Sequence, residues 1–159
     1  MINLTWRSLF WLALALAGCG SVAPGTLRLQ VSGETKLRVS PDGAIVLDKE
    51  RVATLKDDGK VVVGSGKIWA WVHDRSIRLA GGAELPIKTD SRGALYLPLA
   101  AQKAAGLKPV TTRVARNGDV VGETGSATRL RVEGVDGEKH RRVALLLLVL
   151  MANPPDGTM

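Results

Sequence analysis

The sequence predicts an α+β fold built mainly from an antiparallel β-meander of hairpins, completed by one short helix and an apolar C-terminal helix. Three observations predict it. Asp42, Asp58, Asp74 and Asp90 recur at a sixteen-residue interval, and the segments they open align without gaps. Within each segment apolar residues stand two apart, the period of a half-buried strand. Between the apolar runs lie the residues that tight turns require: Pro41-Asp42-Gly43, Asp57-Asp58-Gly59, Gly64-Ser65-Gly66 and Gly81-Gly82.

The elements follow in chain order. Leu27, Leu29 and Val31 alternate, Gly33 breaks the run, and Leu37 and Val39 resume it, which predicts a leading hairpin. In the aligned segments Ile45, Val61 and Ile77 share one position and Leu47, Val63 and Leu79 another. Ala53, Trp69 and Leu85 share a third, and Leu55, Trp71 and Ile87 a fourth. The fourth segment drifts, with its apolar pair at Leu95 and Leu97, as an end unit would. Pro98 to Leu107 has the alanine content and terminal glycine, Gly106, of a short helix. Val110, Thr112 and Val114 predict a further strand, Asn117-Gly118 a hairpin leading to Val120 and Val121, and Leu130 and Val132 one more strand. Asp136 stands where a helix cap belongs, ahead of a helix over residues 138–152.

That last helix is apolar on every side from Val143 to Met151, so it must be buried in protein or in contact with lipid. At about 1.5 Å per residue the run is too short for a hydrocarbon layer of about 30 Å. Covering the open face of the meander is the expected role; a lipid-touching segment with Lys139, Arg141 and Arg142 near headgroups is the alternative.

Composition is that of a globular domain, with apolar residues at 45% and charged residues at 23%. The formal net charge of +7 suits anionic partners in general, without naming one, and a solvated basic face is expected rather than a dedicated anion site. The basic residues are scattered singly along the strands; the dense cluster is Lys139-His140-Arg141-Arg142. The single cysteine excludes a disulfide framework and a cysteine-cluster metal site.

Cys19 has a different reading. Met1 to Arg7 is a short polar start carrying one positive charge, and Ser8 to Ala17 is an apolar run of signal-peptide length. Leu16-Ala17-Gly18-Cys19 follows, and resembles the lipobox of bacterial lipoproteins: a branched apolar residue, two small ones, then the cysteine. The resemblance covers residues 1–19 and implies removal of residues 1–18 by a dedicated signal peptidase that recognises Leu16, Ala17 and Gly18. It also implies diacylglycerol on the Cys19 thiol. Gly20, where aspartate would signal retention in the inner membrane, points to the periplasmic face of the outer membrane. Residues 19–26 then read as the lipidated cysteine and its tether, 27–152 as a single β-rich domain, and 153–159 as a tail.

Little else carries chemistry. Trp69 and Trp71 could stack on a ligand, but their aligned neighbours Ala53, Leu55, Leu85 and Ile87 are apolar, which predicts that they face the core; ligand binding by the pair is the alternative. His73 is expected at a solvated turn, and neither it nor His140 has partners at metal-ligand spacing. The aspartates fall where turns use Asx side chains. No serine elbow, phosphate loop or dinucleotide fingerprint is present, so no catalytic residue, cofactor or metal is expected. The expected function is that of a non-enzymatic envelope lipoprotein, a structural or interaction module. Its partners would be the membrane through Cys19 and an anionic envelope polymer or another envelope protein, with nucleic acid not expected. The alternative is a carrier or pilot lipoprotein holding an apolar ligand between sheet and helix.

Overall fold

The computed structural model describes residues 26–155. Eight strands run in sequence: β1 (Leu27–Val31), β2 (Glu34–Val39), β3 (Ala44–Leu47), β4 (Glu50–Leu55), β5 (Lys60–Val63), β6 (Ile68–Val72), β7 (Ser76–Leu79) and β8 (Glu84–Pro86). After them come β9 (Lys88–Thr89), β10 (Leu95–Tyr96), helix α1 (Leu99–Ala104), β11 (Arg113–Val114), β12 (Asp119–Val121), β13 (Ala127–Glu133) and helix α2 (Gly137–Ala152). All pairings are antiparallel, and all join chain neighbours except that of β13 with β1. The meander expected from the sequence is present, and it is larger than expected, a single sheet of thirteen strands.

The sheet bends round on itself. Strands β8 and β9 stand at opposite ends of the strand order, yet Ile87 alone separates them in sequence. The run from Glu84 to Thr89 therefore lends its first half to β7 and its second half to β10, and the result is a nearly closed barrel without a long free edge. Glycine makes the corners possible. At Ser40–Ala44, Gly43 donates to the Ser40 carbonyl (2.8 Å) and Ser40 donates to the Ala44 carbonyl (2.9 Å), a turn that needs the left-handed φ of +82° at Gly43. A Cβ on Gly43 would also run into the Leu55 carbonyl oxygen of the neighbouring hairpin, so backbone packing as well as φ selects glycine there.

Helix α2 does not cover an open face, as the sequence suggested; the sheet wraps around it. Every residue from Val143 to Leu150 is at most 1% exposed, which one sheet face cannot achieve for all sides of a helix. Its contacts reach β1, β6, β10 and β11, strands spread widely round the barrel. The inward side chains of the strands, Leu29, Leu37, Ile45, Val61, Ile77, Leu95 and Val132 among them, complete one core with it. An all-apolar helix is the element that an apolar-lined barrel can accept at its centre. Asp136 occupies the N-cap position as expected, but its side chain makes no cap bond, and its N–H donates to His140 Nδ1 (2.8 Å).

Helix α1 is shorter than the alanine-rich run, and the strand expected from Val110 to Val114 is reduced to Arg113–Val114. The reason is Gln102, which is fully buried and supplies the backbone partners that a sheet would otherwise provide. Its Nε2 donates to the carbonyls of Leu97 and Val110 (both 2.9 Å), and its Oε1 accepts from the Val110 N–H (2.6 Å). At the C-terminal end of α2, Asn153 accepts from the Lys108 N–H (2.7 Å) and donates to the Lys108 carbonyl (3.1 Å), which ties helix to loop.

Candidate functional site

The lipobox residues Leu16, Ala17, Gly18 and Cys19 lie outside the described residues. Trp69 and Trp71 lie within them, and their placement corrects the expectation that they face the core. In β6 it is Ala70 and Val72 that are buried, while both tryptophans are half-buried on the opposite face. Register is the cause. Ile45 stands opposite Ala53 and Ile77 opposite Leu85, but Val61 stands opposite Ala70, so the β5–β6 hairpin holds one residue more. Its turn is one residue longer than that of β3–β4, which has a bulge at the equivalent place between Ile45 and Val46, and its own bulge between Val61 and Val62 is absent from β7–β8. One extra residue turns every following side chain to the other face. Trp71 thus stands on the outer wall between its cross-strand partners Lys60 and Arg78, and Trp69 still packs in part against the core.

Cations recur along the rest of that wall, with Glu133 across from Arg28 and Glu84 across from Arg78. Arg28 alternates with the buried Leu27 and Leu29, and Arg38 with the buried Leu37 and Val39, so both point outward and both are exposed. They are direct cross-strand partners, a placement of like charges that opposes folding, while Glu133 stands across from Arg28 on the other side. A groove of about 230 Å³ beside them is lined by Thr35, Lys36, Arg38, Val46 and Lys49. Further round the wall a second groove of about 360 Å³ lies over β4 and β5, with Arg51, Thr54, Lys56 and Val62 in its lining. Arg51 donates to the Thr54 hydroxyl (2.8 Å), Lys36 pairs with Glu34 (3.2 Å) and Lys60 with Asp58 (2.9 Å). Among the described residues Arg28, Arg38, Lys49 and Arg78 form no ion pair. This band was not singled out from the sequence, although the signal was there: single cations at outward positions of alternating strands.

The dense cluster at Lys139–Arg142 is consumed by the fold. Arg141, 7% exposed, donates to the Gly93 carbonyl (2.6 Å); burial pulls its pKa downward, opposed by the charge of Glu138. Arg142 donates to Asp74 (2.7 Å). Both side chains pin the start of α2 to turns of the barrel.

Asp90 is a second such anchor. It accepts from the backbone N–H groups of Ala94 (3.0 Å) and Arg92 (2.9 Å) and pairs with Arg113 (3.0 Å), whose guanidinium lies 4.4 Å from the centre of the Tyr96 ring. The Ala94 N–H, with the Arg113 and Arg92 bonds behind it, holds the Asp90 carboxyl below its ordinary value of 3.8, against the opposing effect of desolvation. A depressed folded-state pKa adds stability above the ordinary value, and this is lost as pH falls through the folded one. Asp90→Asn will therefore be less stable than the parent at neutral pH, with the difference shrinking below pH 3.8, as urea unfolding across that range will measure.

No cluster of three or more His, Cys, Asp or Glu among the described residues could hold a metal ion. No described helix is long and apolar enough to cross a membrane. Comparison with protein-family models, with curated proteins and with solved structures finds no match to this chain.

Proposed function

We propose that this chain is a lipid-anchored protein of the bacterial envelope, and that its barrel is a non-enzymatic interaction module working through its outer wall. The observation that carries the reading of the barrel is the distribution of its chemistry. The interior is occupied by the protein's own helix, from Val143 to Leu150, while unpaired cations and Trp71 stand outside. A filled interior offers an apolar guest little room, so the carrier reading gains no support from it. The anchor rests on Leu16-Ala17-Gly18-Cys19. Diacylglycerol on Cys19 would hold the barrel at a membrane surface, each buried methylene contributing about 0.8 kcal/mol. Gly20 favours the periplasmic face of the outer membrane, and the residues between Cys19 and β1 leave a short tether.

The same proposal treats the hairpins between Asp42 and Asp90 as copies of one unit. Asp42 and Asp58 occupy equivalent places, each accepting from the backbone N–H two residues on, at Ala44 (3.2 Å) and Lys60 (3.1 Å). The β3–β4 and β5–β6 hairpins also carry bulges at equivalent places, between Ile45 and Val46 and between Val61 and Val62.

Growth with a labelled fatty acid tests the anchor. The parent chain will carry label and Cys19→Ser will not; equal labelling of the two would overturn the lipoprotein reading.

A further inference from the structure

We infer that the basic outer wall binds a linear acidic polysaccharide laid across the strands, with Trp71 as the platform on which one sugar ring stacks. The inference rests on the reading of the barrel as an envelope interaction module and names its partner.

Three features of the wall point this way. Among the described residues, cations without an ion pair stand at Arg28 on β1, Arg38 on β2, Lys49 after β3 and Arg78 on β7, with Arg51 on β4 and Lys60 on β5 between them. Glu133 and Glu84 stand across from Arg28 and Arg78 and bound the band at its two ends. At about 4.8 Å per strand that band extends for roughly 29 Å around the barrel. The surface it follows is convex, because the sheet curls round α2. A planar bilayer touches a convex wall along one or two strands, whereas a flexible polymer can follow the curve and meet every cation. Charge complementarity then selects a polyanion, and the aromatic ring selects one with flat faces to offer: Trp71, between Lys60 and Arg78, can receive a sugar ring on its face while Arg78, which forms no ion pair among the described residues, meets its acidic groups.

The pairing of Arg28 with Arg38 gives the inference its sharpest consequence. Two arginines directly opposed on neighbouring strands weaken the fold, a cost that Glu133, across from Arg28 on β13, offsets in part and that a partner neutralising both would offset further. Replacing them should separate stability from binding.

The test uses the full chain, solubilised in detergent, with polygalacturonate as the probe and neutral dextran as the comparison. Polygalacturonate will bind and dextran will not, with affinity falling steeply as salt rises. Arg28→Gln combined with Arg38→Gln will lower the slope of log Kd against log salt by roughly 1.5. The same double variant will unfold at the same or a higher urea concentration than the parent, a result that a merely structural role for the arginines would not produce. Trp71→Ala will weaken binding by about tenfold while the salt slope stays as in the parent. Vesicles of phosphatidylglycerol will compete for the protein no better than vesicles of phosphatidylcholine, since the anchor enters both alike.

Absence of polygalacturonate binding overturns the inference, as does binding that ignores both variants. Preferential competition by phosphatidylglycerol would assign the wall to anionic lipid instead, and oligothymidylate binding as tightly as polygalacturonate would assign it to polyanions without regard to sugar. Fatty-acid labelling of Cys19 reads the anchor separately, so a labelled protein that ignores polygalacturonate sinks the partner and leaves the anchor standing.

Discussion

Leu146→Ala will lower the free energy of unfolding by about 3–5 kcal/mol, the upper part of the range for a buried leucine. Leu146 is fully buried at the middle of α2, and α2 is enclosed by strands from well-separated parts of the barrel. The cost of truncating a leucine grows with the cavity it leaves, and a cavity closes only where an element can move in to fill it. A helix lying on a sheet can settle by sliding; a helix ringed by hydrogen-bonded strands has no free side from which to collapse. Urea denaturation measures the change, with Leu99→Ala as the reference, since Leu99 is 36% exposed and its truncation should stay within about 0.5 kcal/mol. A loss at Leu146 of less than about 1 kcal/mol would mean that the barrel opens readily and that the helix is a lid after all.

Gln102→Leu will cost about 3 kcal/mol, although it exchanges a polar side chain for an apolar one of similar size in the core. Apolar replacement of a buried polar group is tolerated when its partners disappear with it. Here the partners are backbone groups that cannot disappear: the carbonyls of Leu97 and Val110 and the N–H of Val110. Each would be left in a dry interior, at about 1–3 kcal/mol apiece where no water reaches it. Unfolding by urea gives the sum, and amide exchange at Val110 gives the local effect, a loss of protection well beyond that of the barrel as a whole. A neutral substitution would show that water enters beneath α1. Gln102 thus does for the irregular stretch around α1 what a neighbouring strand does elsewhere in the barrel.

Several parts of the molecule could be read from residues alone. Alternation of the kind seen at Leu27, Leu29, Leu37 and Val39 reports a strand with one dry face, and the buried residues of β1 and β2 are those four. Asp42-Gly43 and Asp58-Gly59 report turns because their chemistry is local: an Asx side chain bonds the backbone two residues on, and a glycine accepts positive φ. The candidate site was less accessible. The outward direction of Trp71 depends on one residue more between Val61 and Ala70 than separates the facing residues of the flanking hairpins. The basic wall depends on which singly placed cations become neighbours once the strands pair, as Arg28 and Arg38 do.

Residue chemistry by itself determined that this chain folds as antiparallel hairpins and that it carries one apolar helix. Those are properties of short segments, governed by period, turn propensity and local pattern, and they do not need the rest of the chain. The tertiary structure alone decided that the helix lies inside the sheet rather than on it. A fully apolar helix demands burial on every side but does not say what will bury it, and that depended on Glu84–Thr89 joining the two ends of the sheet. It also decided which face of β6 meets solvent, because register is a relation between strands, and one residue more in the β5–β6 hairpin sets it for Trp69 to Val72.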